Sequence, residues 1–307
     1  MVRGIPEFPK FKKLSLNDKE EIESYTKQFP PYSDFHFIIM WSWDINEPVL
    51  LSLYNDNLLL RSSDCSSGES YYTLIGTKNI GEIIPDCLKW LKINKHYPSL
   101  KWIPEEIIHS VNHSALPVMD DRDNYDYIYG VTQLYKADGK NFATYRGLIN
   151  RFKKRYPNLN CKQIDIIQAE IKSQIIELFK RWRNNKSQEK TECKLVFEYK
   201  ALKKLLKTVS QFKSVYALGI YHESDLIAFN IIDVMNKEYA CIPFIKADTN
   251  FKGVFQYLMN ETIKNLYDKG IKFINFEADL GIPSLRASKL SFRPIHFLKK
   301  FTIENNS

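Results

Sequence analysis

The stretch from Asn275 to Pro294 gathers side chains able to do acid–base chemistry. Glu277 and Asp279 alternate at the end of an apolar run, Gly281 and Pro283 mark a turn, and Arg286, Lys289 and Arg293 follow. A carboxylate at a strand end can take the proton of an attacking hydroxyl or amine, or hold an ammonium group. Cations just beyond it can hold an anionic acceptor. Glu277, Asp279 and Arg286 are therefore the candidate catalytic groups, with Asn275, Lys289, Ser291 and Arg293 as candidate substrate contacts. The same residues also read as an internal salt-bridge network tying the last strands together, and the pattern alone weighs the two readings about evenly.

A second set lies on an expected helix over 142–156. Tyr145, Leu148, Ile149, Phe152 and Tyr156 repeat at helical spacing and form a buried stripe. Arg146, Asn150 and Lys153 line one flank of it, Arg151 and Arg155 the other, and Lys154 points away. The helix holds no acidic residue at i,i+4 to pair these cations, so Arg146, Asn150, Arg151, Lys153 and Lys154 are candidate contacts to a polyanion. A third set is the connection between an expected strand at 238–246 and a helix at 253–268. Lys246, Asp248, Asn250 and Lys252 crowd it and Gly253 opens the helix. Free N–H groups beside a glycine and a lysine make a phosphate cradle, although one glycine is not a glycine-rich loop. Lys246 and Asp248 are further candidate substrate contacts, and Lys252 and Gly253 candidate phosphate contacts.

Other chemistries find no support. His109 and His113 have zinc-like spacing, but neither an HExxH frame nor a third ligand accompanies them, so no metal is expected. GxSxG, Walker A and GxGxxG motifs are missing. The five cysteines, Cys65, Cys87, Cys161, Cys193 and Cys241, show no CxxC spacing and read as reduced thiols.

These groups must be positioned by a soluble, mixed α/β chain. Of 307 residues 44% are hydrophobic and 26% charged, and no apolar run approaches a membrane span. Residues 1–13 lack the apolar core of a secretory signal, so a cytoplasmic protein is expected. Between Lys140 and Lys213 stand nineteen Lys or Arg and six Asp or Glu, a local charge of +13 within a total of +8. Such a basic middle fits a partner rich in phosphate. Strand-like and helix-like segments alternate throughout. Ser15 and Asp18 have capping-box spacing ahead of a helix ending near Pro30. A hairpin is expected around Asn55–Asn57, a helix near 80–93 with Ile83, Cys87, Leu88 and Leu91 inward, and Pro104 at the first position of another. Further helices are expected at 169–184 and 197–212. Strands are expected at 125–129, 161–166, 215–221, 225–234, 271–276 and 294–301. Pro117 and the charges of 115–126 mark a boundary.

Three long segments carry a resemblance. "KLSLNDKEEIESYTKQFPPYSDFHFIIMWSW", "DRDNYDYIYGVTQLYKADGKNFATYRGLINRFKKRYPN" and "NFEADLGIPSLRASKLSFRPIHFLKKF" together resemble the bacterial DUF2156 family, the phosphatidylglycerol lysyltransferase C-terminal type, over about residues 11–301. The resemblance implies tandem GNAT-like acyltransferase folds with mixed central sheets flanked by helices, arranged here as 1–118 and 119–307. Relatives take an aminoacyl group from aminoacyl-tRNA and give it to a lipid headgroup or a small molecule. The implied partners are thus tRNA and an anionic, phosphatidylglycerol-like lipid at the inner face of the membrane, with no cofactor. This chain departs from the family at Tyr145–Asn150, where members often show a Lys-Arg-Asn-like run. An N-acyltransferase using acyl-CoA, with coenzyme A phosphates at Lys252 and Gly253, is an alternative. Residues 250–255 match the usual coenzyme A signature poorly. A non-catalytic module binding an anionic ligand is another.

Overall fold

Asn55 and Asp56 join the strands Leu50–Tyr54 and Asn57–Ser63, and both have positive φ, 46° and 60°. That backbone is the two-residue type I′ turn matched to strand twist. Asn57 consequently belongs to the second strand, opposite Tyr54. The computed structural model describes residues 4–63, 68–111, 116–185 and 192–305, without the side chains of 192–194. His113 and Cys65 lie outside the described residues, as does the side chain of Cys193.

The chain forms two compact units. The first takes Met1–Asp126, Ala278–Pro283 and Phe297–Ser307. Its seven-stranded sheet runs Lys12–Lys13, Leu50–Tyr54, Asn57–Ser63, Ser70–Ile75, Ser99–Pro104, Lys300–Glu304, Val118–Asp120. The carboxy-terminal strand is thus inserted antiparallel between Ser99–Pro104 and Val118–Asp120. A linear division at 118/119 leaves that strand with the other half of the chain. The run expected as one strand over 294–301 is two strands, His296–Leu298 and Lys300–Glu304, and they join different sheets. Neither Gly nor Pro separates them, so periodicity alone reads one continuous strand. Helix Ile80–Ile93 buries Ile83, Cys87, Leu88 and Leu91 as its 3.6-residue period requires. Pro104 stands one position earlier than expected, as the N-cap of the short helix Glu105–Ile108, because its extended ψ of 149° still belongs to the preceding strand.

A buried ion cluster ties the first unit's distant segments together. Lys300 is 1% exposed and its ammonium donates to Asp126 Oδ1 at 2.8 Å and to Asp34. Asp126 in turn accepts from the Ser33 amide at 2.6 Å and the Ser33 hydroxyl at 2.8 Å. Burial alone lowers the pKa of a lysine, but the Asp126 and Asp34 carboxylates reverse that and hold Lys300 above its ordinary value.

The second unit takes Tyr127–Glu277 and Ser284–His296. Its sheet runs His296–Leu298, Asp126–Gly130, Phe273–Asn275, Tyr239–Ala247, Asp225–Val234, Val215–His222, Cys161–Ile164. Strand Asp225–Val234 is buried at every residue from Leu226 to Asp233. Its two faces therefore both lie under cover, and helices Ala169–Asn184 and Val254–Asp268 pack against it. Tyr239–Ala247 and Phe273–Asn275 are parallel neighbours, but their register covers only Tyr239, Ala240 and Cys241 against Phe273, Ile274 and Asn275. The longer strand continues six residues past the end of that pairing. On its other side, its register with Asp225–Val234 shifts between Ile231 and Asp233, a bulge at Ile242–Pro243 where the proline's missing N–H is tolerated.

Helix Val254–Asp268 closes with Gly270 at φ 75°, the Gly270 amide donating to Tyr267 and the Ile271 amide to Leu266, a Schellman ending. The helix expected at 197–212 starts earlier, spanning Glu192–Thr208, and gives way to a 3₁₀ turn at Val209–Gln211.

The Lys300 cluster generates a prediction. Lys300→Ala leaves two carboxylates in a buried site and should cost about 3–5 kcal/mol, read from urea unfolding at pH 7. Because the folded pKa lies above lysine's ordinary ~10.4, this contribution is complete below that value and is lost only as pH rises through the folded pKa. The wild-type advantage should therefore be flat from pH 6 to 9 and shrink only in stronger alkali.

Candidate functional site

Strand Phe273–Asn275 ends at a buried asparagine. The Asn275 Oδ1 accepts the Glu277 amide at 2.7 Å, an Asx turn that pulls the chain out of the strand. Glu277 follows with φ 56°, a left-handed conformation uncommon for a side chain of its type. The two carboxylates therefore do not share the face of a regular strand. The strand expected to 276 stops at 275, and the boundary between the compact units falls between Glu277 and Ala278.

Within the first unit, Asp279 is 0% exposed. Its Oδ1 accepts the Gly281 amide at 2.9 Å, and its Oδ2 lies 3.4 Å from Arg122 Nη1. The Arg122 guanidinium also lies over the rings of Phe297, at 4.8 Å, and Tyr125, at 5.3 Å. Gly281 sits in the left-handed region at φ 68°, and a Cβ there would meet Asp123 Oδ2 at 2.6 Å, so a side chain would be strained and would displace that carboxylate. Asp279 thus organises a tight loop.

Within the second unit, helix Pro283–Ser291 carries Arg286 and Lys289, both half-buried and three residues apart on one side. The Lys289 ammonium donates to the carbonyls of Phe276 and Glu277, the latter at 3.2 Å, and so clamps the strand end. Ser291 is exposed and its hydroxyl donates to Ser288 O at 2.6 Å within the same helix. Arg293 is exposed at φ 57°. An aromatic cluster missed by the sequence reading surrounds this end of the sheet. Phe292 is its hub, with ring centroids 6.4 Å from Tyr129, 5.5 Å from Tyr145, 6.2 Å from Phe255 and 6.1 Å from Phe276. Its members come from five separate segments of the chain, so no short window of sequence reveals it.

Part of the connection ahead of helix Val254–Asp268 is bonded within the chain. Asp248 is buried and its Oδ1 accepts the Asn250 amide at 3.0 Å, while the Phe251 amide donates to Asp248 O and the Val254 amide to Phe251 O. Lys246 is buried, pairs with Glu198 and lies 4.4 Å from the Trp182 ring centroid. Gly253 has φ 96°, and a Cβ there would sit 2.9 Å from Leu148 O of helix Ala143–Arg155. Close helix packing thus explains this glycine without a ligand. Lys252 is exposed.

Helix Ala143–Arg155 presents the opposite picture. Tyr145, Ile149 and Phe152 are buried, while Asn150, Arg151, Lys153, Lys154 and Arg155 are exposed. Arg146 is spent on the preceding loop, donating to Ala137 O and, at 2.9 Å, to Gly139 O. Lys153 lies 4.0 Å from Glu261 Oε1 of the neighbouring helix, an acidic partner that the helix's own sequence does not supply. Burial pushes the thiols of Cys87 and Cys161 up to about 12, with the Glu261 charge adding to the effect at Cys161. At neutral pH neither supplies a thiolate nucleophile.

With this geometry in hand, known proteins give a consistent comparison. A family model described as phosphatidylglycerol lysyltransferase, C-terminal, matches residues 28–304. A conserved protein of unknown function from Bacteroides thetaiotaomicron superposes with TM-score 0.81 at 23% identity, over 96% of this chain and 98% of that one. The L-PGS of Bacillus licheniformis gives 0.63 at 13% identity, over 99% and 95%. A tandem GNAT protein of the clavulanic acid biosynthesis pathway gives 0.51 at 9%, over 97% and 99%. An uncharacterised protein of Mycoplasmoides gallisepticum is 22% identical over 188 residues, 58% of this chain, and the match spans 56% of that relative's length. The mixed sheets flanked by helices are those of tandem GNAT folds. Among the described residues no helix is long and apolar enough to cross a membrane.

Two substitutions check the structural assignments. Gly253→Ala forces a side chain into the left-handed region against a carbonyl and should cost roughly 1–3 kcal/mol, read from thermal or urea melts. Asp279→Asn weakens the pairing with Arg122 and should lower stability by about 1–3 kcal/mol, visible as a reduced melting temperature before any activity is considered.

Proposed function

The chain belongs to the phosphatidylglycerol lysyltransferase C-terminal family, and from that premise we propose that it transfers an aminoacyl group from aminoacyl-tRNA to an anionic lipid headgroup of the phosphatidylglycerol kind or to a small hydroxyl or amine acceptor. One observation carries the choice of donor. The cations of helix Ala143–Arg155 are exposed around the side away from its buried stripe, whereas the amides of Asn250, Phe251 and Val254 at the neighbouring helix start are already bonded within the chain. Arg151 and Arg155 on one flank, Asn150 and Lys153 on the other and Lys154 between them suit an extended polyanion that contacts phosphates one by one. A pyrophosphate would draw on the amides of this turn, three of which are already taken, so acyl-CoA is the weaker reading.

The reaction needs little machinery. The acceptor oxygen or nitrogen attacks the ester carbonyl carbon and loses a proton. The carbonyl electrons move to oxygen, then return as the bond to the tRNA 3′ oxygen breaks, and that oxygen is reprotonated. Glu277 is assigned the acceptor's proton or the donor's ammonium. Beyond Cys241 alternate amides of the longer strand bond strand Asp225–Val234 and the others face away from it, while Pro243 has none to give; an amide of the second set is assigned the oxyanion. Arg286 and Arg293 are assigned to the acceptor's negative charge. Lys289 is assigned to hold the strand end in place through the two carbonyls it bonds.

Binding of bulk tRNA tests the donor. Affinity should fall linearly in log–log plots against salt, and the double charge reversal Lys153→Glu, Lys154→Glu should weaken it at least tenfold at low salt for all tRNAs alike, with a shallower salt slope. Unchanged affinity in the double variant would remove the donor assignment.

A further inference from the structure

Several tyrosine hydroxyls of the second unit are hydrogen-bonded: the buried Tyr129 donates to Lys289 O at 2.8 Å, and the half-buried Tyr216 and Tyr221 donate to Asn265 Oδ1 at 2.7 Å and to Gln174 Oε1 at 2.9 Å. Tyr145 differs. The residue is 9% exposed, and its buried hydroxyl has no hydrogen-bond partner among the described residues. Leaving such a group dry is expensive, on the scale of a lost hydrogen bond or more. Phenylalanine would fill the same space in an aromatic setting without that cost, since the ring already packs edge-on against Phe142 and Phe292 at 6.5 and 5.5 Å.

The position of this hydroxyl is informative. Phe292 links Tyr145 to Phe276, the residue that follows the short parallel strand, and to Phe255 in the first turn of helix Val254–Asp268. Phe276 stands just past the end of the shorter parallel strand, and Phe255 is near the start of the helix that follows the longer one. Tyr145 also sits on the helix that carries the exposed cations. Its ring thus joins that helix, through Phe292, to the end of the shorter strand. Burial, and secondarily the Glu261 charge, hold its hydroxyl protonated well above the ordinary tyrosine range, which makes it a donor in search of an acceptor.

We propose that Tyr145 Oη is a substrate-binding donor that bonds an acceptor oxygen, carbonyl or ester, of the aminoacyl group delivered to the end of the shorter parallel strand. The inference rests on the aminoacyl-tRNA reading and adds to it the residue that recognises the acyl end. The bond is made only in the complex, so the free protein carries the hydroxyl at a cost and the ligand removes that cost.

The test pairs Tyr145→Phe with Tyr129→Phe. Melts of the free proteins come first. Tyr129→Phe loses a bond made within the chain and should melt lower than wild type, whereas Tyr145→Phe should melt at the same temperature or higher. Binding comes second, with bulk tRNA carrying its amino acids through stable 3′-amide links and the same tRNA uncharged. Wild type and Tyr129→Phe should prefer the charged pool by about tenfold, the order of one buried hydrogen bond. Tyr145→Phe should bind both pools alike and match wild type on the uncharged one. A lowered melting temperature for Tyr145→Phe shows a partner inside the protein and overturns the inference. So does a charged-pool preference that survives the substitution, with the donor reading left standing. If no protein of the set binds tRNA, the donor reading and the inference fall together.

Discussion

Two parallel strands that stay paired for only three residues set the terms for the second unit. A parallel ladder is held by evenly spaced bonds along its length, and here it ends at Cys241 and Asn275 while one strand runs on to Ala247. The cause is visible on both sides. The Ile242–Pro243 bulge turns the longer strand, and the Asn275 side chain captures the Glu277 amide and ends the shorter one. Backbone that would have been sealed is left open in the middle of the sheet, beyond the end of the shorter strand. The Lys289 ammonium and the Phe292 ring cluster hold the end of the shorter strand where this leaves it.

Within the second unit the polar groups divide by what already satisfies them. Lys246, Asp248 and Arg146 have their bonding directed into the protein, and charges so held mainly fix geometry. On helix Ala143–Arg155 the side chains of Arg151, Lys154 and Arg155 are exposed, Lys153 lies 4.0 Å from Glu261, and the Tyr145 hydroxyl has no partner among the described residues. At the start of helix Val254–Asp268, Gly253 is required by close contact with Leu148 O of that neighbouring helix.

Much of the architecture is legible in the sequence because local chemistry decides it. The Asn55–Asp56 turn, the Gly270 helix end, the buried stripe of helix Ile80–Ile93 and the helix at 169–184 all follow from periods and punctuation that a short window contains. What is hidden depends on partners distant in the chain. The switch of sheet at Lys299 has no marker, because the alternative neighbours of Lys300–Glu304 are about two hundred residues away. The fate of Asp279 is hidden for the same reason, since Arg122 lies 157 residues earlier. Tyr145 sits in an unremarkable apolar stripe, and only the packed structure distinguishes a satisfied phenol from a dry one.

On the function proposed here, the protein's phosphate-rich partner is a transfer RNA and not coenzyme A. Native mass spectrometry of the protein isolated at low ionic strength distinguishes the two. RNA of tRNA size is expected to be bound at low salt and released as salt rises. Coenzyme A or an acyl-CoA retained in its place, at a salt concentration where no RNA is found, would contradict that function.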